Sequence, residues 1–422
     1  TWMGHVLEHV TLELQSLAGT EVGYGRAHET KKHGVYNVII EYKEEDFAVH
    51  CLHAAHSLLI AAIEGSHFDV GKTIESLREK LLLEQLGPST RSIVEAARRR
   101  DIPVRRLSEG SLVRLGIGSK QRRIIAAETD QTSAVSETIA QDKELTRGLL
   151  EEAGIPVAKG KPVFSAEEAW QVATEIGLPV VIKPRCGNQG RGVSVGLTTQ
   201  NEVSQAYSVA ISEEEEIVVE RCLAGDDYRL LVIGNELIAA ARRCAPCITG
   251  DGSSTIEKLV QKENRNPCRC DDHAGSLSLL CLDAAAEVAL CEQGFSKESI
   301  PNDGQLVLLR RNANLSTGGT AEDVTDLVHP DTVRLAIDAV RVVGLDIAGV
   351  DIMATRIDQP LSAQHGGVVE INACPGLRMH LEPTVGGSRD VGSAIISTLF
   401  ETGEDGRIPV AAVTGTNGKT TV

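Results

Sequence analysis

The amino-acid sequence predicts a chain of mixed α/β and α+β type, in which an N-terminal α+β domain precedes a larger α/β domain. Its 422 residues are enough for two to four domains. From about residue 136 onward, apolar runs typical of β-strands alternate with amphipathic helical stretches, as they do in layered α/β folds. The final residues, from Ile408, resemble a strand that enters a glycine-rich loop. We therefore predict three segments, which comprise residues 1–133, 134–405 and 406–422.

Composition limits the function classes. Hydrophobic residues make up 42% of the chain and charged residues 24%, which excludes disorder for the chain as a whole. The net charge of −17 would repel the phosphate backbone of a nucleic acid. The longest apolar runs, such as residues 58–63, are too short to span a bilayer. The 10 cysteines are scattered rather than dense, which is typical of a reducing compartment. These features predict a cytoplasmic protein that binds neither nucleic acid nor membrane.

Individual elements follow from local patterns. A helix is expected from Ser136, as its N-cap, to Gly154, and another over residues 331–343. Gly234 and Asn235 predict the two-residue turn of a β-hairpin. Further strands are predicted at PVVIKP, GVSVGL, EIVVERCL and LVLLRRN, and around Asp351 and Glu370.

Two strands carry acidic and amide side chains that could hold a metal ion. Residues two apart on a strand share a face, so Glu370 and Asn372 project together, and Asp351 can join them from a neighbouring strand. Carboxylate and amide oxygens suit Mg²⁺ held jointly with nucleotide phosphates. Solvent-facing polar positions on an exposed sheet are the alternative interpretation.

A glycine-rich stretch follows the strand that ends at Lys183. Its glycines, Gly187, Gly190 and Gly192, would expose backbone N–H groups to phosphate oxygens, although an ordinary hairpin has the same composition. Further along, Glu220 and Asp227 could accept hydrogen bonds from an adenine amino group and ribose hydroxyls.

Taken in this order, these residues resemble the ATP-grasp superfamily of carboxylate–amine ligases over about residues 136–405. The resemblance implies ATP and Mg²⁺ as cofactors. It assigns phosphate contacts to Lys143 and Lys183, adenine and ribose contacts to Glu220 and Asp227, and metal ligands to Asp351, Glu370 and Asn372. Several relatives have an arginine two positions before the first metal-binding aspartate, where this chain has Gly349. Arg311 or Arg310 is then expected to supply the missing positive charge.

The segment LRRNANLSTGGT and the sequence near the C-terminus narrow the resemblance to the cyanophycin synthetase family, and it then covers the whole chain. In that family a Mur-ligase-like domain follows the ATP-grasp domain, and its phosphate loop resembles GTNGKTT here. The residues that would bind phosphate and Mg²⁺ in that loop are Gly415, Gly418, Lys419 and Thr420. We expect only the first strand and the P-loop of that domain, so the arginine-adding half would be missing.

The resemblance implies an enzyme that adds L-aspartate to the C-terminal carboxylate of a poly-aspartate backbone through an acyl phosphate. Its partners would be a cyanophycin or poly-aspartate primer and L-aspartate, and it would be a homo-oligomer. Arg378 and His380 could hold carboxylates of these substrates. The alternatives are another ATP-grasp ligase of the glutathione-synthetase type and a non-catalytic polymer-binding fragment.

Three other patterns compete for a role. His5, Glu8 and His9 form an H-x-x-E-H sequence that on a helix could bind Zn²⁺ as in a peptidase, or could simply be two structural histidines. The basic stretch from Arg91 to Arg123 is either a solvated face or, through Arg98, Arg99 and Arg100, a surface for polymer carboxylates. Four cysteines could in principle form a zinc site but are predicted to be incidental: Cys244, Cys247, Cys268 and Cys270.

Overall fold

The structure is a computed structural model. It describes residues 2–32, 34–84, 86–108, 110–185, 192–266, 269–270, 277–310, 313–364 and 366–412. The chain divides into two compact units, residues 1–86 and residues 87–422. The predicted domain boundaries at residues 133 and 405 stay predictions.

In its described residues, the first unit is an α+β arrangement of three helices and a two-stranded antiparallel sheet. Its elements are α1 (Met3–Ala18), β1 (Gly25–Glu29), β2 (Tyr36–Ile40), α2 (Glu45–Glu64) and α3 (Val70–Glu84). The core consists of Leu14 from α1, Phe47 and Cys51 from α2, and Leu77 and Leu81 from α3. By length and composition alone α2 could cross a membrane, but in this unit it packs against α1 and α3.

The second unit begins with one helix and a small antiparallel sheet. These elements are α4 (Pro88–Arg99), β3 (Val104–Arg106), β4 (Leu112–Leu115), β5 (Arg122–Ile125) and β6 (Glu128–Thr129).

The remaining elements form the main body of the second unit. Its helices are α5 (Ala134–Gln141), α6 (Lys143–Glu152), α7 (Ala166–Ile176), α8 (Gln200–Ile211), α9 (Ile256–Glu263), α10 (Ala284–Glu292), α11 (Pro330–Val343), α12 (Arg378–Leu381) and α13 (Val391–Leu399). Its strands are β7 (Gly160–Val163), β8 (Val180–Pro184), β9 (Ser194–Leu197), β10 (Ile217–Arg221), β11 (Asp226–Ile233), β12 (Glu236–Cys244), β13 (Cys247–Thr249), β14 (Arg269–Cys270), β15 (Leu277–Ser278), β16 (Leu306–Leu308), β17 (Thr320–Asp323), β18 (Ile347–Ala354) and β19 (Gly367–Asn372).

The helix predicted from Ser136 to Gly154 is in fact two helices, and its predicted N-cap was wrong. Ser133 caps α5, because its side chain accepts a hydrogen bond from the backbone N–H of Val135. Asp142 leaves the helical conformation and caps α6 by accepting from the N–H groups of Glu144 and Leu145. An aspartate satisfies these free N–H groups better in a cap than inside a helix, so the break falls at Asp142.

Two sheets frame the rest of the second unit. One has the strand order β7-β10-β8-β9 and is covered by α7 and α8, which bury Val203, Ile182 and Val219 between helix and sheet. The other has the order β17-β12-β11-β18-β19 and packs against α11. The predicted hairpin turn at Gly234 joins β11 and β12, and the predicted strands around Asp351 and Glu370 pair as β18 and β19.

A β-bulge between Leu231 and Val232 shifts the pairing of β11 and β12 by one residue. Asp227 consequently lies opposite Arg243, whereas the turn alone would place it opposite Arg242. Mixed α/β structure is thus confirmed. The C-terminal phosphate-loop residues lie outside the described residues, and residues 408–412 before them are not in a strand.

Candidate active site

The second unit contains a cavity of about 760 Å³, and the residues that line it come from both sheets and from α5, α6 and α12. Its charged and amide lining residues include Lys143, Lys183, Glu220, Asp227, Arg229, Arg243, Asp351, Glu370, Asn372 and Arg378. Eight of these ten residues are ones that the sequence singled out. The elements that carry them are strands of the two sheets and the beginnings of α6 and α12.

One end of the cavity holds the three predicted metal ligands. Asp351 lies directly opposite Glu370 in the pairing of β18 with β19. The Asn372 side-chain amide donates to Glu370 Oε1 over 3.1 Å. Asp351 is only 4% exposed, and burial alone would raise its pKa, but two arginines hold the pKa at about 2. The carboxylate is therefore ionised at neutral pH.

The two arginines are Arg229 and Arg243, which the sequence reasoning missed. Both Nε and Nη2 of Arg229 donate to the two oxygens of Asp351, and Arg243 Nη2 donates to Asp351 Oδ2 over 2.9 Å. The space for Arg229 exists because residue 349 is glycine: a Cβ at Gly349 would lie 2.9 Å from Arg229 Cδ. The positive charge at this end comes from a neighbouring strand rather than from residue 349.

Asp227 belongs to the same cluster. Its Oδ1 accepts from Arg243 Nε over 3.1 Å and from Arg243 Nη2 over 2.6 Å, so one guanidinium joins Asp227 to Asp351. Burial raises the pKa of Asp227, and the charge of Arg243 opposes that shift. A signal for this arrangement was present in the sequence, because alternation along a strand places Asp227 and Arg229 on one face.

The cavity also holds the two predicted phosphate lysines. Lys183 on β8 is buried and its Nζ lies 2.7 Å from Glu220 Oε2 on β10. Lys143 is the first residue of α6, and its Nζ lies 3.5 Å from Glu370 Oε2. Glu220 and Glu370 thus contact one lysine each.

These donors fit a nucleotide and Mg²⁺. Ammonium groups at Lys143 and Lys183 would contact phosphates, and carboxylate and amide oxygens at Glu370 and Asn372, beside ionised Asp351, are the ligands that Mg²⁺ prefers. Gly192 has φ +68°, a left-handed conformation that favours glycine. Gly187 and Gly190 lie outside the described residues.

Two predicted catalytic residues do not line the cavity. The Arg310 guanidinium lies 2.5 Å from Asp283 Oδ2 near the start of α10, and Arg310 does not line the cavity. His380 is 3% exposed, and burial lowers its pKa to about 3, so the ring is neutral and cannot hold a carboxylate as a cation. The role assigned to His380 therefore cannot rest on a positive charge and stays a prediction. Arg311 lies outside the described residues.

Arg378, by contrast, lines the cavity. Its Nη2 donates to Ser278 Oγ over 3.2 Å and to the Leu315 carbonyl over 3.4 Å. These two contacts fix the guanidinium at the wall, beyond the metal-ligand strand, where a substrate carboxylate could be bound.

The predicted H-x-x-E-H helix is confirmed as part of α1. Ligand atoms of His5, Glu8 and His9 all lie within 4.8 Å of one another, and His5 Nδ1 is 3.2 Å from Glu8 Oε2. Glu8 is buried at 3% exposure beneath the two exposed histidines, in space that Gly25 leaves free.

Three parts of the chain match known protein families. Residues 1–64 match the family of the cyanophycin synthase-like N-terminal domain. Residues 142–229 match the ATP-binding domain of the carbamoyl-phosphate synthase L chain, and residues 302–396 match the RimK-like ATP-grasp domain. A crystal structure of a bifunctional glutathione synthetase from Pasteurella multocida, 28% identical, aligns with a TM-score of 0.58 over 83% of this chain and 52% of that one.

The matches and the fold define a class, that of proteins with an ATP-grasp domain. Within that class it is cyanophycin synthetase-like. It is 40% identical over its whole length to cyanophycin synthetase from Geminocystis herdmanii, of which it covers 49%. The glutathione biosynthesis bifunctional protein GshAB of Clostridium perfringens is 33% identical over 65% of this chain and 36% of its own length. The chain spans about half the length of the cyanophycin synthetases that it matches.

Proposed function

We propose that this chain is an ATP-dependent ligase that adds L-aspartate to the C-terminal carboxylate of a poly-aspartate backbone. The observation that carries the proposal is the cavity, whose lining includes both Lys143 and Lys183 and the group of Asp351, Glu370 and Asn372. The similarity to cyanophycin synthetases over the whole chain supports the choice of substrates.

The chemistry follows from the weakness of a carboxylate as an acylating agent. ATP, bound with Mg²⁺, would supply the phosphoryl group that converts the backbone carboxylate into an acyl phosphate, and ADP would leave as the bond between its β-phosphate and the transferred group breaks. The amine of aspartate then attacks the acyl carbon, a C–N bond forms, the C–O bond to phosphate breaks, and inorganic phosphate leaves.

The residues of the cavity have distinct tasks in this reaction. Lys183, oriented by Glu220, and Lys143, near Glu370, offset the negative charge of the phosphates. Arg378 has its guanidinium fixed by Ser278 and the Leu315 carbonyl, and it binds a carboxylate of the acceptor or of aspartate. Arg229 and Arg243 keep Asp351 ionised at neutral pH.

The test is ATP hydrolysis that depends on aspartate and a poly-aspartate primer. We expect Lys183→Ala and Glu370→Ala each to lower turnover by about 10²- to 10³-fold, because each removes a charge at the reacting phosphate. Lys161→Ala and Glu175→Ala are matched controls, since these residues form an ion pair of 2.6 Å that is half exposed and outside the cavity.

Turnover near the wild-type value in either site variant would contradict the proposal. ATP turnover that requires γ-glutamylcysteine and glycine instead of aspartate would favour the glutathione-synthetase alternative. Primer binding without any ATP turnover would favour a non-catalytic polymer-binding fragment. A cytoplasmic location and a homo-oligomeric state remain predictions.

A second function is favoured by the cluster on α1. Two imidazoles and a buried carboxylate within 4.8 Å of one another match the donor types of a zinc hydrolase, so this unit would bind Zn²⁺ and cleave amide bonds. Zinc content measured by mass spectrometry should fall in His5→Ala and His9→Ala but not in His28→Ala, whose histidine is exposed on β1. Equal zinc content in all three variants would exclude it.

A further inference from the structure

Three arginines lie in a single row across the small sheet of β3, β4 and β5. Arg105 on β3 is directly opposite Arg114 on β4, and Arg114 is directly opposite Arg123 on β5. Directly opposed residues project from the same face of a sheet, with Cβ atoms about 5 Å apart. The three guanidinium groups therefore form a continuous cationic row.

The row is on the outer face of this sheet. Val113, Leu115 and Ile124 alternate with the arginines along β4 and β5, and each is at most 1% exposed. Arg105 and Arg123 are exposed, and Arg114 on the middle strand is half-buried. The sheet thus has a buried apolar face and a cationic face that is accessible.

No carboxylate of the described residues pairs with these three side chains, whereas neighbouring cations are paired. Arg99 contacts Asp390, Lys120 contacts Glu404, and Arg122 lies 3.9 Å from Asp130. Asp130 instead accepts a hydrogen bond from the backbone N–H of Arg123.

Such a row is unfavourable without an anion. Like charges directly opposite each other destabilise a sheet. In addition, Arg114 Nε is buried and has no hydrogen-bond partner among the described residues. A bound ligand that carries several carboxylates would relieve both effects, because a guanidinium matches a carboxylate in a two-point hydrogen bond.

The surroundings of the row favour a flexible polycarboxylate over a nucleic acid. Next to it on the same face are Leu112 and Ile125, directly opposite each other, and Ile125 is 53% exposed. These aliphatic side chains suit the methylene groups of a peptide-like chain. The net charge of −17 disfavours a long phosphate backbone.

The same sheet extends to the cavity. Cys374 and Glu128 both line the cavity; Cys374 Sγ lies 3.7 Å from the carbonyl oxygen of Ile125, and Glu128 is on β6 of this sheet. A chain bound along the row could therefore continue into the cavity.

We propose that Arg105, Arg114 and Arg123 form a binding site for a polycarboxylate chain. This site binds the acceptor of the ligase reaction at a part of the acceptor that is distant from its reacting end. The identification of the bound polycarboxylate as the acceptor rests on the proposed ligase function. The binding of a polycarboxylate by the row does not.

The first test measures binding alone, by fluorescence anisotropy of a labelled deca-L-aspartate at low salt. We expect the triple variant with Arg105→Ser, Arg114→Ser and Arg123→Ser to bind at least about tenfold more weakly, with a smaller salt dependence. The matched control is Arg334→Ser, Arg341→Ser and Arg356→Ser, which removes the same charge from exposed arginines that pair with nearby aspartates. Arg123→Gln alone, at an exposed position, should give a smaller loss in the same direction and covers the case in which the triple variant does not fold.

Several results would overturn the site. The first is equal affinity for deca-L-aspartate in the wild type and in both row variants, and the second is an equal loss of affinity in the control triple variant. The third is binding of deca-L-asparagine as tight as that of deca-L-aspartate. The fourth is row-dependent binding of a ten-residue oligothymidylate that is tighter than that of deca-L-aspartate.

The second test uses the ligase reaction. The ratio of the KM for a long acceptor to the KM for aspartyl-aspartate should rise in the triple variant. If the wild-type protein shows no aspartate-dependent ATP turnover, the ligase function is refuted. The anisotropy result would still decide whether the arginine row binds a polycarboxylate.

Discussion

At the scale of single residues, the candidate site depends on Gly349 as much as on the charged groups. Arg229 can form its two hydrogen bonds to Asp351 only because no side chain is present at residue 349. In the sequence, residue 349 is a glycine where several relatives have an arginine. The structure shows a guanidinium supplied by the adjacent strand, so the chemistry is retained although the residue that provides it differs.

Gly349→Ala tests this arrangement. The new Cβ would lie 2.9 Å from Arg229 Cδ and 3.0 Å from Pro375 Cβ, so Arg229 must move away from Asp351. We expect a loss of about 1–3 kcal/mol in the free energy of unfolding, measured with urea, and a lower rate of aspartate-dependent ATP hydrolysis. Gly148→Ala is the control, because no atom lies within 4 Å of a Cβ built there. Unchanged stability and turnover in Gly349→Ala would show that the contact is unimportant.

At the scale of elements, the break between α5 and α6 positions a lysine. Asp142 caps α6 and also accepts from Arg185 Nη2 over 2.9 Å and from Arg185 Nε over 3.3 Å, and the arginine lowers its pKa. Lys143 follows at once, so the cap fixes the point at which this lysine leaves the backbone. A continuous helix, as the sequence pattern predicted, would have placed Lys143 in the middle of a helix instead of at its first turn.

Asp142→Ala should therefore affect nucleotide binding more than stability. Loss of an N-cap costs about 1 kcal/mol, and the freed first turn would also let Lys143 move away from Glu370. We expect the KM for ATP to rise several-fold. Ser133→Ala removes the equivalent cap of α5, which precedes no such lysine, and should leave the KM unchanged. An equal rise in both variants would instead indicate a general loosening of the two helices.

At the scale of the whole second unit, α4 and α13 join the beginning of that unit to its end. Gly392 of α13 approaches α4 so closely that a Cβ would lie 2.3 Å from the Ser92 carbonyl oxygen. Arg100, just after α4, donates to the carbonyl oxygens of Phe400 over 3.2 Å and Glu404 over 3.3 Å. Arg99 pairs with Asp390. Two of the three arginines expected to bind polymer carboxylates thus bind groups of the protein itself.

Arg100→Ser should destabilise the second unit. Hydrogen bonds from a charged group are worth about 1.5–3 kcal/mol, and we expect a loss of that order in urea unfolding, without a change in acceptor affinity. The control is Arg334→Ser, whose arginine is 74% exposed and pairs with Asp331 one helical turn away. Weaker acceptor binding at unchanged stability would restore the interpretation of Arg100 as a polymer contact.

The sequence alone determined strands β8 to β12, β16, β18 and β19, the hairpin at Gly234 and most of the charged residues that line the cavity. Local periodicity and the order of the motifs suffice for these features, because they depend on neighbours in sequence. Only the tertiary structure decided which arginines reach Asp351. The bulge at Leu231 shifts the register by one residue and turns Arg243 to the cavity in place of Arg242, and the empty position at Gly349 admits Arg229. It likewise decided that His380 is buried and neutral, because burial results from packing between elements distant in the chain.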